Sequence, residues 1–222
     1  MVVGPFRITF AIGEDDRTEE YRLRYNVFVE ECCFESPDRC ADGLERDEFD
    51  RASCSMLLHD VATGQVAGCQ RLVLPDLLPP GTLTNLERQY QLLPDHPGVD
   101  FTAIPRNSWA EASRTTVAAP YRWGASSTSM PAMVAIKFGS IALATAFGRQ
   151  SLYSLSEPHT ARLIRRLGFP MVQVGAPVVF HGRRVPFRMD IEAMARSVHD
   201  TEQLVLDDLI RGALEWRRRW LR

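Results

Sequence analysis

Residues 44–50 read LERDEFD, four acids in seven positions with Leu44 and Phe49 woven between them. Clustered acids repel one another and ordinarily sit in water as a solvated turn. Here the rest of the chain supplies a reason to bury them. Residues 15–33 have helical spacing that puts Tyr21, Tyr25, Phe28 and Cys32 on one stripe, and Arg24 stands on the same stripe. Arg71 interrupts the strand-like run QVAGCQRLVL at 65–74, and Glu111 with Arg114 interrupt SWAEASRTTVA at 108–118. A guanidinium buried without a partner is very costly. The acids of residues 45–50 are the nearest source of partners for Arg24, so the stretch is expected to fold back against the helix and the strands.

Outward from that stretch the elements alternate. Residues 6–12 alternate as a strand, and the runs at 54–60 and 65–74, joined by VATG, read as a hairpin. Residues 75–105 hold Pro75, Pro79, Pro80, Pro94, Pro97 and Pro105, which predicts an irregular excursion with one helical turn near Leu86. A strand at 108–118 follows. The apolar stretch 129–148 reads as a core helix capped by Ser129, with Met130, Val134, Phe138, Ile141 and Thr145 on one side. Lys137 at its centre, with Pro131 and Gly139, argues against a membrane span. A strand at 151–156, a helix from Pro158 closing at Gly168, and further strand within 171–191 come next. The chain finishes in an amphipathic helix at 200–222, with Leu206, Leu209, Ala213 and Trp216 or Trp220 available for packing. The pattern predicts one α/β domain over 1–222, with a sheet of mixed direction covered by helices.

Composition narrows the function. A net charge of −2 with 45% hydrophobic residues gives no basis for general nucleic-acid binding. Cys32, Cys33, Cys40, Cys54 and Cys69 are odd in number and lack a C-x-x-C pair, so reduced thiols in a cytoplasm are expected, with neither a disulfide framework nor a zinc site. The N-terminal residues lack a basic stretch followed by a long apolar core, so no signal peptide is expected. His59, His96, His159, His181 and His199 show no ligand spacing, and the acids of 45–50 lack the glycine turn of a calcium loop, so no metal is expected.

The ordered series YRLRYNVFVEE, LERDEFD, GCQRLVLP and AEASRTTV resembles the autoinducer-synthase branch of the GNAT-like N-acyltransferases. That branch includes acyl-homoserine lactone synthases, long-chain N-acyl amino acid synthases and exosortase-associated acyltransferases. The resemblance runs from about residue 6 to about 190. It matches Arg24 and Phe28 to the first-helix pair, Glu45, Asp47 and Asp50 to an E-x-D-x-x-D, Arg71 to the second-strand arginine, and Glu111 with Arg114 to an E-x-x-R. DGLERDEFD and GAPVVFHGRRVPF look more like the N-acyl amino acid and exosortase-associated enzymes. Lactone synthases usually carry a tryptophan after the first helix, and Phe34 stands there in this chain.

The resemblance implies a GNAT-like three-layer αβα sandwich with a mixed, mostly antiparallel central sheet. It implies transfer of a medium- or long-chain fatty acyl group from a thioester to an amine, with no permanently bound cofactor. Glu111, beside Ser113, would take the proton from the attacking amine. Backbone N–H groups where the central strand splays from its neighbour would stabilise the oxyanion. Glu111 and Arg114 differ by three, so a bulge near Ala112 or Ser113 is needed to bring both to one cleft. Arg24, Phe28, Phe34, Glu45, Asp47, Asp50, Arg71 and Arg114 would shape the amine-substrate pocket. YRWGASSTSMPAM has Arg122 and Gly124 without the usual coenzyme A loop spacing. That departure favours an acyl carrier protein over acyl-CoA as donor, met by Arg122, Arg149 and Arg165 together with Arg162 and Arg166. Lactone synthesis from S-adenosylmethionine is the alternative reaction, and a non-catalytic binding module the alternative class. Membrane contact, if any, would be peripheral, through the C-terminal helix.

Overall fold

The computed structural model describes residues 1–91, 99–122 and 131–222. Ser129, Met130, Gly124, Pro94, Pro97 and His96 lie outside these residues. The described strands form one sheet in the order β1 (Val2–Val3), β2 (Phe6–Phe10), β3 (Ser53–Asp60), β4 (Val66–Val73), β5 (Trp109–Val117), β6 (Ser151–Ser156), β9 (Arg183–Asp190) and β7 (Val172–Gln173), with β8 (Val178–Val179) also paired to β9. β5 and β6 are parallel; the other described pairs are antiparallel. The expected mixed, mostly antiparallel α/β sheet is therefore present.

One side of the sheet is covered by α3 (Ala132–Ala146), which is buried on nearly every side because α6 (Asp200–Trp220) lies outside it. Leu206, Leu209, Ala213 and Trp216 of α6 are the buried positions, as the amphipathic spacing predicts. Thr145, placed on the apolar stripe from sequence, is exposed at the far end of α3. The opposite side carries α1 (Glu14–Arg24), whose first turn holds Glu14, Asp15 and Asp16 at the positive end of its dipole. α1 runs directly into a π-helical segment, Tyr25–Glu31. The wider turn ends the 3.6-residue spacing, so the expected stripe does not persist: Leu23, Arg24, Val27 and Val29 are buried and Cys32 is exposed. The proline-bearing excursion contains α2 (Asn85–Gln91), whose Leu86 packs with Phe101, Trp109 and Tyr153.

Two features of β5 position the site. The pairing with β6 ends at Glu111 opposite Tyr153; beyond it β5 continues along β4 while β6 continues along β9. The sheet is thereby split by a cleft. On the β4 side, Cys69 faces Thr116 and Arg71 faces Ser113, so Arg114 and Thr115 oppose the single residue Gln70. This is a bulge, one residue beyond the expected place, and Arg114 takes the left-handed conformation with φ of 50°. Next to it β4 and β5 approach closely at Gly68, where an added Cβ would lie 2.8 Å from the Thr116 carbonyl oxygen. Gly68→Ala should lower stability by about 1–3 kcal/mol, since the backbone itself must move. Chemical denaturation measures this, and an unchanged midpoint would show that the ladder spreads freely there.

Candidate active site

The acids of LERDEFD divide by environment. Glu45 and Asp50 are buried, Asp47 is partly buried, and Glu48 faces solvent, where it pairs with Arg88. Arg24, fully buried, donates from Nε to Glu45 at 2.5 Å and from Nη1 to Asp50 at 2.7 Å. Arg71, also fully buried, reaches Asp50 at 2.7 Å and Asp47 at 2.9 Å. Arg114 donates to Glu45 at 2.8 Å and to Glu35 at 3.2 Å. Asp50 thus bridges two guanidiniums, and Glu45 bridges Arg24 to the bulge. Burial alone would raise the Asp50 carboxyl, but Arg71 and Arg24 overcome it and hold the group far below the usual range. Glu45 and Asp47 are likewise lowered against their burial, Glu45 by Arg24 and Arg114 and Asp47 by Arg71.

The arginines also lean on rings. Arg24 lies 5.1 Å from the Tyr21 centroid and Arg114 lies 5.5 Å from that of Phe28. Phe28 and Phe34 stack with centroids 6.4 Å apart, and Arg184 covers Phe34 at 5.2 Å. These rings line a cavity of about 540 Å³ that enters the split between β5 and β6. Glu111, Ser113, Arg114 and Arg122 line it as well.

Glu111 differs from the other acids. Among the described residues no guanidinium pairs with it; its Oε2 accepts the Leu86 N–H at 2.9 Å. Burial pushes its carboxyl up, against the pull of that N–H. Ser113 stands two residues along the same face, and its Oγ accepts from Arg71 Nε at 3.2 Å. A buried carboxylate whose pKa burial raises, at the edge of a cavity, is suited to accept a proton.

The three expected carrier-contact arginines separate. Arg122 and Arg165 are exposed, Arg122 paired with Glu31 and Arg165 donating to the Met171 carbonyl at 2.9 Å. Arg149 is buried and bound to Asp76 at 2.8 Å, so it is a structural tie to the proline-bearing excursion and not a surface contact. Sequence reading missed several site residues. Glu20 accepts from Arg24 at 3.2 Å, an i, i+4 pair visible in the helix spacing. Glu35, adjacent to Phe34, carried no comparable signal for its contact with Arg114 across the fold. Among the described residues no group of three or more His, Cys, Asp or Glu side chains is arranged to hold a metal ion. No described helix is long and apolar enough to cross a membrane.

Known proteins are similar to this chain in sequence and in fold. The acetyltransferase (GNAT) domain family matches residues 23–132, which include α1, the acid stretch and β3 to β5. An acyl-homoserine-lactone synthase of Rhizobium radiobacter is 29% identical over 159 residues, 71% of this chain and 65% of that enzyme. The match therefore spans a little under two thirds of that relative. TofI, solved in a ternary complex with an inhibitor and MTA, is 25% identical with a TM-score of 0.64, over 86% of this chain and 95% of TofI. FeeM, an N-acyl amino acid synthase from uncultured soil microbes, is 8% identical with a TM-score of 0.59, over 88% of this chain and 96% of its own, a likeness of fold. Over residues 23–132 the chain is similar to GNAT-type acetyltransferase domains, and over most of its length to an acyl-homoserine-lactone synthase.

Proposed function

We propose that the protein is an N-acyltransferase that moves a medium- or long-chain acyl group from an acyl-carrier-protein thioester to the amine of a small amino-acid-like substrate. The observation that carries this reading is Glu111: a buried carboxylate free of any described guanidinium, at the point where β5 and β6 part and the cavity begins. In this reading the thioester carbonyl enters the split, the amine approaches from the side of Phe28 and Phe34, and Glu111 takes the proton lost on attack. Beyond Glu111, the side of β5 turned away from β4 has no β6 partner. Backbone N–H groups there would meet the oxyanion. The arginines hold the Glu45, Asp47 and Asp50 carboxyls below the usual range, so the task of these ion pairs is to hold Arg114 and the aromatic pair in place. Arg122 and Arg165, at the surface, supply positive charge for an acidic carrier.

The Rhizobium radiobacter relative favours a second reaction on the same site, lactone formation with S-adenosylmethionine as the amine. Phe34, where lactone synthases usually carry tryptophan, favours the first. Purified protein given long-chain acyl carrier protein and a pool of amino acids should release free carrier thiol. Turnover with S-adenosylmethionine alone would select the lactone reaction, and thiol release at the blank rate across amines and chain lengths would leave a binding module.

A further inference from the structure

The far wall of the cavity contains a charge that the site described so far does not use. Lys137 lies on α3, across the sheet from the acid and arginine network, and is 2% exposed while lining the cavity. The sidedness follows from its neighbours. Ser140, less than one turn further along α3, bonds Gln70 of β4, whereas Arg71, the next residue of β4, turns to the acids on the opposite side. No described residue gives Lys137 a hydrogen bond or an ion pair, and burial alone lowers its ammonium to about 8. The cavity is also lined by the apolar Ala132, Met133, Ile164, Met171 and Met189, with Gln70, Thr116 and Glu157 among its polar lining residues. At neutral pH the group therefore remains mostly charged, enclosed and without a counter-ion among the described residues. An unpaired buried ammonium is among the costliest groups a core can hold. Its retention at the wall of a ligand cavity points to a ligand that brings the opposite charge.

We propose that Lys137 selects acyl groups carrying a carboxylate distal to the thioester: the chain lies along the apolar wall and its far carboxylate accepts from Lys137 Nζ. This rests on the acyl-transfer reading and names its donor class, a dicarboxylic acid joined through one end. The position across the sheet from Glu111 assigns the contact to the distal part of the chain and not to the reacting carbonyl.

The test compares monocarboxylic and dicarboxylic acyl thioesters of equal length, over a ladder of lengths, each on coenzyme A and on carrier protein. Wild-type protein should turn over the dicarboxylic member about 10- to 100-fold better in kcat/KM. Lys137→Met should reverse that order, with a melting temperature unchanged or higher because a buried charge has been removed. Lys137→Gln, which keeps a donor without the charge, should fall between. Binding of the matching non-reactive thioethers is measured alongside. Selective binding of the dicarboxylic thioether, lost in Lys137→Met, would support the proposal even if no thioester turned over, and in that case the acyl-transfer reading would fall instead. Turnover of both series with the same preference in wild type and Lys137→Met, or wild-type preference for the plain chain, would overturn the proposal and leave acyl transfer standing.

Discussion

Replacing Glu111 by Gln should slow acyl transfer by about 10²–10⁴ while the protein stays folded. Gln can still accept the Leu86 N–H that Glu111 Oε2 now takes. The change removes only the capacity to hold a proton. A base works deprotonated, and burial raises this carboxyl. Wild-type turnover should therefore climb with pH through a value above the ordinary glutamate range, and Glu111→Gln should lack that limb. A purely structural Glu111 would serve as counter-ion to Arg71 or Arg114. Both arginines already have acids of their own, Arg71 in Asp47 and Asp50, and Arg114 in Glu45 and Glu35. Near-normal turnover in a well-folded Glu111→Gln protein would remove Glu111 from the mechanism.

Asp50→Asn should destabilise the protein by about 3–5 kcal/mol, because Arg24 and Arg71 both lose charge from a buried acceptor. Glu48→Gln, in the same stretch but exposed beside Arg88, should change stability by about 1 kcal/mol or less. The contrast isolates burial, since both changes remove one carboxylate. The pH dependence has a definite sign. Glu45, Asp47 and Asp50 are lowered in the folded protein. Their contribution is present above the unfolded carboxylate value of about 4 and is lost as pH falls toward the folded values. Denaturant titrations down the acid range should show wild-type stability falling there and Asp50→Asn falling less. Arg24→Met combined with Glu45→Gln should be non-additive, since these two groups touch. Strict additivity would deny the pairing.

Much of this was legible because the irregularities of the sequence were chemical ones. Arg24, Arg71 and Arg114 each stood where an apolar or small residue belonged, and a buried guanidinium demands acids, which LERDEFD supplied. The E-x-x-R spacing in a strand demanded a bulge, and the structure contains one. What stayed hidden depends on distant contacts. Which acid meets which arginine is set by how residues 45–50 fold under α1, so the sequence led to an acid cluster and not to the bridging role of Asp50. Arg149 reads as a surface cation until Asp76, from the proline-bearing excursion, is seen against it. The π-helical turn carries no composition signal, and it moved Cys32 off the expected stripe. Lys137 was visible as a charge inside an apolar helix, but only the split between β5 and β6 shows that a cavity lies beside it.

Mass spectrometry of lipid extracts from a host overexpressing the protein, set against the same host carrying Glu111→Gln, tests acyl transfer most directly because the product names both substrates. The account predicts an N-acylated amine that accumulates with the wild-type protein and falls to background with Glu111→Gln. An extract without any acylated amine, or one equally rich in it when Glu111 is replaced, would contradict the account.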